Sequence, residues 1–441
     1  MKKFLVLLCS LLLALALAAC GEGEKSESGV EMETDIEELS LSLERTGYSM
    51  DFSQKDVLLA TLRLSYPKLS VVTEDGEEFA SSDDESIKQV RIAKAFNAKM
   101  EAEMEARKEE FNTLCSDAQS HYDSLDDAQK EYWGNYVLEI NYTGFQSENL
   151  VSTVAAGYWY TGGAHPSSFH QTWNFDLTTG EFFTLDDISN DSAAIRTAVA
   201  DEIMRQIYAE ELHYGYFEDY EAVVRDLAYT HLSFDELGAT VRFDLYTLAP
   251  YAAGIPEFFF GYEVLCDCLN ERGREVLPVP EEAYVLAAFY EAQELWSYFH
   301  MSTIPLDYEA PAVEHNGRLY YPVDYAGITT LAQLKEYLCE YVTEELAEEW
   351  LCRILDRFVE FDGVLYCFEA DRGSDLRYGE PSYEVALLID HGSVTATMDT
   401  YDTEKIDPVT GEMPVVGERK LYYHFQMVDG RPIFENFPEI W

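Results

Sequence analysis

The stretch YVLEINYTGFQSENLVSTVAAGYWYTGGAHP, residues 136–166, contains the pattern from which the fold class follows. β-branched and aromatic residues cluster in Tyr136–Tyr142 and again in Leu150–Tyr160, so each segment predicts a β-strand. The glycines that follow permit a positive φ or a close backbone approach, and Pro166 restricts the residues before it. The stretch therefore predicts two strands, the second of which ends in a defined turn.

Helices alternate with further strands over the predicted domain 46–275. Apolar side chains at helical spacing predict a long helix over 87–115 and a buried helix stripe over 195–207. Further strand patterns lie at Val57–Leu64, 241–245 and 258–262, and 175–183 contains a hairpin-type turn at Asp176–Gly180. The polar segment 270–280 contains a glycine and two prolines, and we place the domain boundary there.

A second domain is predicted over residues 281–441. It begins with a helical face over 285–299, and Asn316-Gly317 between two apolar runs predicts a two-residue hairpin. Two helices follow, and the inward side of the second is predicted to reach Ile354 and Phe358. Strands are then predicted at Val364–Phe368, Tyr383–Ile389, Ser393–Tyr401 and Lys420–Val428. Both halves therefore predict an α+β fold in which an antiparallel sheet packs with helices.

The first twenty residues have the order of a secretory signal. Two lysines precede an apolar run from Phe4 to Leu17, and two alanines then lead to Cys20. The run is too short to span a membrane, so residues 1–19 predict a signal peptide. The cysteine resembles that of a bacterial lipobox, which implies that Cys20 is lipidated and becomes the mature N-terminus. We expect a lipid anchor on the extracytoplasmic face of a Gram-positive cell membrane; an ordinary signal cut near a cysteine is the alternative.

The composition is strongly acidic, with 30 Lys and Arg against 83 Asp and Glu and a formal net charge of −53. Such a field repels nucleic acid and anionic lipid head groups, and it attracts cationic proteins. Residues 20–45 lack apolar periodicity and predict an acidic flexible tether. Solubility of an exposed envelope protein also explains the charge, so the charge alone selects no partner.

Cysteine usage argues against a disulfide scaffold. Beyond Cys9 and Cys20 the chain contains Cys115, Cys266, Cys268, Cys339, Cys352 and Cys367. An even number outside the membrane permits disulfides, and a bridge between Cys339 and Cys352 is one option beside buried free thiols. The spacing of Cys266 and Cys268 is too tight for a zinc site and has no second pair, so we expect no metal and no cofactor.

The segment 158–166 is the most unusual local sequence, in a chain without HExxH, GxSxG, GxxxxGK[ST] or GxGxxG. Its candidate binding residues are Tyr158, Trp159, Tyr160, Gly162, Gly163 and His165. A shared metal with His170 is not expected, because an odd separation on a strand places the two side chains on opposite faces. The structural alternative is a hairpin corner in which His165 bonds to the backbone.

Six segments resemble the extracellular domain shared by RsiV-type lysozyme-sensing anti-sigma factors and the non-catalytic part of PdaC-type peptidoglycan deacetylases. They are Tyr66–Leu69, Asn141–Gly144, Tyr158–Pro166, Asn174–Gly180, Phe183–Asp187 and Pro250–Gly254. The resemblance covers about residues 50–270, and TGGAH with DLTTG is its most specific part. It implies a domain that binds protein ligands. In the deacetylases catalysis lies on a separate metal domain, and we expect neither that domain nor a sigma-binding segment here.

Residues 281–441 resemble, more faintly, the IseA-type inhibitors of cell-wall DL-endopeptidases. The similar segments are Gly317–Pro322, Gly327–Leu338, Tyr341–Glu345 and Asp362–Tyr366. This resemblance implies an acidic protein that blocks a hydrolase cleft by surface contact. No individual residue of these segments can be assigned as an inhibitory contact.

Together these features predict a binding protein and not an enzyme. The predicted partners are cationic or wall-associated proteins, such as lysozyme or peptidoglycan hydrolases, and the membrane is contacted only through the N-terminal lipid. One alternative is an enzyme acting on wall glycan or peptide, with His165 and Asp176, Asp186 or Asp187 as its site. The other is a solute-binding lipoprotein, although its parallel βαβ units are not visible in the sequence.

Overall fold

The computed structural model describes residues 39–81, 83–209, 211–227, 230–353, 357–370, 377–403, 405 and 413–438. The predicted signal peptide, Cys20 and most of the predicted tether lie outside these residues. Helices and several sheets make up the described part, so the predicted α+β class is confirmed. No described helix is both long enough and apolar enough to cross a bilayer.

A six-stranded sheet with the order β1-β2-β3-β4-β5-β6 forms the first part of the fold. Its strands are β1 Ser40–Gln54, β2 Val57–Val72, β3 Tyr136–Gln146, β4 Leu150–Tyr160, β5 Ser167–Asp176 and β6 Glu181–Phe183. Helix α1, Lys88–Ser124, packs Phe96, Met100 and Phe111 into the core that the sheet forms. The short helix α2, Asp127–Lys130, leads back to the sheet.

One pair of strands corrects the expectation of an antiparallel sheet. Strands β2 and β3 are parallel, and the other neighbours in this sheet are antiparallel. The chain leaves β2, runs through α1 and returns beside β2, and a helical crossover of this kind brings the next strand back in the same direction. The sheet is therefore mixed and contains one βαβ unit.

The predicted tether ends earlier than expected, because β1 already begins at Ser40. Leu41 and Leu43 are half-buried and alternate with more polar positions along the strand. They pack against the core of the six-stranded sheet. Residues 40–45 are therefore part of the fold, since their alternation supplies an apolar face to the sheet.

A second core lies beside the first and contains a three-stranded antiparallel sheet, β7 Thr230–Phe234, β8 Gly238–Phe243 and β9 Glu257–Gly261. The helices around it are α3 Ser192–Ala209, α4 Tyr220–Asp226 and α5 Glu271–Val276. The strand predicted over 241–245 ends at Phe243. Leu245 instead enters a loop that leads to the 3₁₀ turn Tyr251–Ala253.

The third core is built on α6, Glu281–His300, together with α7 Leu331–Leu338 and α8 Glu344–Arg353. Two four-stranded sheets surround it, with the orders β10-β11-β13-β12 and β14-β15-β16-β17. Their strands are β10 Val313–His315, β11 Arg318–Pro322, β12 Phe358–Phe361, β13 Val364–Cys367, β14 Ser382–Leu387, β15 His391–Tyr401, β16 Val415–Val428 and β17 Arg431–Phe434.

The predictions for this third core hold at the hairpin and fail at the end of the second helix. Asn316 and Gly317 have φ values of +51° and +77° between β10 and β11, so the predicted two-residue turn is confirmed. Phe358, predicted on the inward side of the helix, instead begins β12 and pairs with Cys367. Its side chain is buried in either arrangement, which is why apolar spacing did not separate the two.

Helix α6 contacts two of the three cores. Ala283 and Ala287 pack in the second core, whereas Val285 and Phe289 pack in the third. The segment 270–280 before it is also packed, because Val276 and Leu277 are buried. The two-domain division predicted at this point stays a prediction, and the segment itself is not an open linker.

The six described cysteines are free thiols, so no Cys339–Cys352 bridge is formed. Burial raises the pKa of Cys266 and that of Cys367 to about 12, whereas Cys352 is exposed. Because the thiolate is the reactive form, we expect iodoacetamide at pH 8 to alkylate Cys352 in the folded chain and to reach Cys266 and Cys367 only after unfolding. Peptide mass spectrometry measures this order, and equal labelling of Cys266 and Cys352 would contradict it.

Candidate functional site

An open groove of about 840 Å³ lies on the six-stranded sheet, beside the loop that leads into β9. Its sheet side is lined by Glu139 and Asn141 of β3, Tyr158 of β4 and His170 of β5, and residues 251–255 form the opposite side. We call this feature the groove. It is formed by the six-stranded sheet together with the loop between β8 and β9.

Strand register places Glu139, Asn141, Tyr158 and His170 on one face of the sheet. Glu139 pairs with Tyr158, and Tyr158 pairs with Ser168 across β4 and β5. Two residues further along their strands lie Asn141 and His170, in the next row on the same face. Because side chains alternate along a strand, these two rows lie side by side and face the groove.

The three predicted aromatic residues do not share one surface. Tyr158 lines the groove and is 41% exposed. Trp159 is 39% exposed, but as the next residue on β4 it points to the other face of the sheet. Tyr160 is half-buried at the end of the strand and does not line the groove. The groove therefore takes only Tyr158 from this aromatic run.

Gly162 has a structural role in the turn between β4 and β5. Its φ is +80°, and a Cβ at this position would lie 3.4 Å from the ring of Tyr136 and 3.7 Å from that of His121. The Nδ1 atom of His121 lies 2.8 Å from the Tyr136 hydroxyl, so the turn closes over a bonded pair. Gly163 has no such close neighbour, since its nearest contact would be 3.9 Å away.

His165 lies in the same turn and reaches the edge of the groove through Tyr251. Its Nδ1 is 3.0 Å from the carbonyl oxygen of Pro166, so the predicted backbone bond is confirmed. Its ring stacks on that of Tyr251, with centroids 4.0 Å apart and an interplanar angle of 26°. His165 thus holds an aromatic side chain of the groove in place and has its own Nδ1 occupied.

A polar cluster closes the groove near β9. Arg242 Nε lies 3.2 Å from Glu257 Oε2, and His231 Nε2 lies 2.9 Å from Asp244 Oδ1. Burial lowers the pKa of His170, while Glu257 acts in the opposite direction. The buried Nδ1 of His170 has no hydrogen-bond partner in the described part of the chain. His170 therefore favours its neutral form, with Nδ1 buried below the surface of the groove.

Sequence reasoning missed most of the groove. His170 entered the prediction only as a metal ligand that was not expected, and Glu139, Tyr251 and Glu257 were not among the predicted site residues. These residues come from β3, β5, β9 and a loop that are far apart in sequence. Strand pairing and the packing of the loop bring them together, and the pattern of a single strand predicts neither.

The carboxylates considered for an enzymatic site are not near His165. Asp176 ends β5, whose ten residues separate it from the His165 turn by about 30 Å at 3.3 Å per residue. Its side chain is fully buried and binds Arg272 Nε at 3.0 Å. The same carboxylate accepts hydrogen bonds from Thr178 and Thr179. Asp176 is therefore a structural residue of the DLTTG turn.

The other two carboxylates also have structural partners. Asp186 accepts two hydrogen bonds from Arg196, at 2.7 and 2.8 Å, and this pairing lowers the pKa of Asp186. Asp187 caps a 3₁₀ turn by accepting the backbone N–H of Thr184 at 2.7 Å. The hypothetical site that combines these residues with His165 is not assembled. Within the described residues no cluster of three or more His, Cys, Asp or Glu side chains is placed to hold a metal.

The mixed six-stranded sheet, its covering helix and the adjacent three-stranded sheet define an α+β protein with an open groove. Residues 56–168 match the family model described as deacetylase PdaC, and residues 181–263 match the model described as a protein of unknown function (DUF3298). The chain therefore contains a PdaC/DUF3298-type domain, and the PdaC-type resemblance predicted for about residues 50–270 is confirmed. The IseA-type resemblance stays a prediction.

Two solved structures are similar to part of the chain. The DUF3298 family member from Bacteroides fragilis is 18% identical, with 54% of this chain and 95% of that chain covered and a TM-score of 0.36. The DUF3298 family protein from Pseudomonas aeruginosa is 17% identical, with 55% and 98% covered and a TM-score of 0.34. A comparison with curated proteins finds no match.

Proposed function

We propose that this protein is a membrane-anchored extracytoplasmic lipoprotein that captures or inhibits cationic or cell-wall-directed proteins, such as lysozyme or peptidoglycan hydrolases. The observation that carries the proposal is the lining of the groove. Tyr158 and Tyr251 supply aromatic surface, Glu139 and Glu257 supply carboxylates, and the described lining residues include no lysine or arginine. Aromatic contact area with a negative rim suits a basic protein surface.

Glu139 is the acidic residue of the groove best placed to meet a cation. Its Oε1 accepts a hydrogen bond from Asn141 at 3.1 Å, and no Lys or Arg of the described chain forms an ion pair with it. Glu257 differs, because Arg242 already pairs with it. A lysine or arginine of a partner would therefore contribute most binding free energy if it paired with Glu139.

The charge of the whole chain supports capture at a distance. A formal net charge of −53 creates a negative field that steers cationic proteins toward the surface. The same field opposes contact with anionic lipid, so the membrane would be held only through lipid at Cys20. That anchor places the groove where wall-directed proteins are found.

Binding is favoured over catalysis by the state of the candidate catalytic groups. Asp176 and Asp186 are engaged by arginines, and His165 has its Nδ1 on a backbone carbonyl. One matched family is described as a deacetylase, and that description applies to the family and not to this chain. We therefore assign this chain the role of a ligand-binding module.

Capture by charge is tested by immobilising the full chain and measuring retention of a lysozyme and a peptidoglycan hydrolase. We expect retention at about 0.1 M salt, where the Debye length is about 10 Å, and strong loss at about 1 M, where it is about 3 Å. An acidic protein of similar size is the control and should not be retained. Failure to retain either cationic protein at low salt would overturn the proposal.

A further inference from the structure

A second cleft, of about 760 Å³, lies where α6 passes from the second core to the third. It is lined by Asp267 and Arg274 before α6, by Glu291 on α6, by Tyr337 on α7, and by Asp429 and Arg431 near the turn between β16 and β17. We call it the junction cleft. Its volume falls within the range of small-molecule sites.

Three of the carboxylates that line this cleft, Asp267, Glu291 and Asp429, form no ion pair among the described residues. Glu291 accepts hydrogen bonds from the hydroxyls of Tyr325, at 2.6 Å, and Tyr337, at 2.9 Å, which are neutral donors. Asp267 is exposed; partial desolvation and the charge of Glu291 raise its pKa, while Arg431 and Arg274 act in the opposite direction. Asp267 and Glu291 repel each other, so an ammonium group between them would relieve that repulsion.

Arginines lie on the rim of the same cleft. Arg431 is 71% exposed at its side chain, and its Nη1 is 3.7 Å from Glu340 Oε2, at the outer limit of an ion pair. Arg274 is exposed, and within the described residues its guanidinium makes no hydrogen bond. Both guanidinium groups therefore keep donors that a carboxylate can occupy.

We propose that the junction cleft binds a small zwitterionic ligand, a free amino acid or short peptide, with its ammonium group between Asp267 and Glu291 and its carboxylate at Arg274 and Arg431. The rings of Tyr284, Tyr337 and Tyr341 line the space between these groups. This site is separate from the groove and does not depend on the function proposed for it.

Titration calorimetry on the full chain tests the ligand class with three probes. They are L-alanyl-L-alanine, its N-acetyl derivative, which lacks the ammonium group, and its amide, which lacks the carboxylate. We expect the dipeptide to bind, the amide to bind about tenfold more weakly and the N-acetyl form not to bind, because charged hydrogen bonds contribute about tenfold or more each. Absence of dipeptide binding, or equal binding of all three, would overturn the proposal.

Variants test which residues bind the ammonium end and which bind the carboxylate end of the ligand. Glu291→Gln keeps an amide oxygen for the tyrosine hydroxyls. The double variant Glu291→Gln and Asp267→Asn should weaken dipeptide binding at least tenfold. Arg431→Gln changes an exposed side chain, so it should preserve folding, weaken the dipeptide and leave the amide unchanged. The matched control is Glu336→Gln, an exposed acidic residue on α7 outside the cleft. If the control weakens binding as much as these variants, the proposed site is wrong.

Discussion

Asp176→Ala is expected to lower the free energy of unfolding by about 3–5 kcal/mol, the usual effect of removing one partner from a buried ion pair. The Asp176 side chain is fully buried, and its Oδ2 lies 3.0 Å from Arg272 Nε. Its Oδ1 accepts hydrogen bonds from the Thr178 backbone N–H and hydroxyl, at 2.8 and 2.6 Å. The truncation leaves all these donors without their acceptor.

The position of this pair in the fold explains why the effect should be large. Asp176 ends β5 in the first core, whereas Arg272 lies on α5 in the second. The guanidinium also lies 5.7 Å from the ring centroid of Phe183, which belongs to the second core. One side chain therefore fixes the DLTTG turn and joins two apolar cores.

Urea unfolding of the full chain, followed by circular dichroism, measures this loss. Asp176→Asn keeps an acceptor for the turn and loses only the charge, so its effect should be smaller than that of Asp176→Ala. The matched control is Asp186→Asn, because the pair of Asp186 with Arg196 is partly exposed and should contribute about 0–1 kcal/mol. An Asp176→Ala effect no larger than that of the control would show that the buried pair does not hold the two cores together.

The same residue should make stability depend on pH. Burial alone would raise the pKa of Asp176, but the hydrogen bonds from Thr178 and Thr179 outweigh it, and the pKa lies below the ordinary carboxyl value. A lowered pKa contributes stability above the pKa of the unfolded chain, and this stability is lost as pH falls through the folded value. The free energy of unfolding of Asp176→Asn should therefore fall less than that of the unaltered chain when the pH is lowered through this range.

Local signals predicted the elements of this fold well. The Asn316-Gly317 turn needs two residues with positive φ, and the sequence supplies them between short apolar runs. The bounds of β4, Leu150–Tyr160, agree with the prediction because Gly162 ends the strand nearby. Such features depend on a few neighbouring residues and are visible without tertiary structure.

Features set by distant partners were not predictable in the same way. The alternation of Leu41 and Leu43 is short and lies between acidic residues, and only its pairing with β2 makes it a strand. Phe358 fits a helix face and a strand face equally well. The parallel pairing of β2 with β3 depends on how α1 packs across the sheet, which apolar spacing alone does not specify.

The groove shows the same division between local and tertiary information. His165 and Tyr158 could be singled out from unusual local sequence, and the structure places both at or beside the groove. Tyr251 completes it from a loop 86 residues after His165, by stacking on its ring. Trp159 could not be assigned correctly without knowing which face of β4 is covered.

The combined variant Tyr158→Ala and Tyr251→Ala is expected to weaken binding of a cationic wall-directed protein by about tenfold to a hundredfold. Tyrosines at the centre of an interface are often hot spots, and the predicted range corresponds to a loss of about 1.4–2.7 kcal/mol for the two rings together. Tyr158 is 41% exposed, and Tyr251 is held by the His165 ring, so neither needs large reorganisation to meet a partner. Surface plasmon resonance with lysozyme as the probe measures the change.

The matched control for this variant is Tyr214→Ala, since Tyr214 is 81% exposed and lies outside the groove. Equal weakening by the control would mean that the partner does not use the groove.

The tyrosine pair carries no charge, so its loss should raise the dissociation rate and leave the salt dependence of association unchanged. Glu139→Gln should instead slow association at low salt, because it removes the carboxylate that no described Lys or Arg pairs with. This opposite pattern separates contact at the groove from steering by the whole acidic surface.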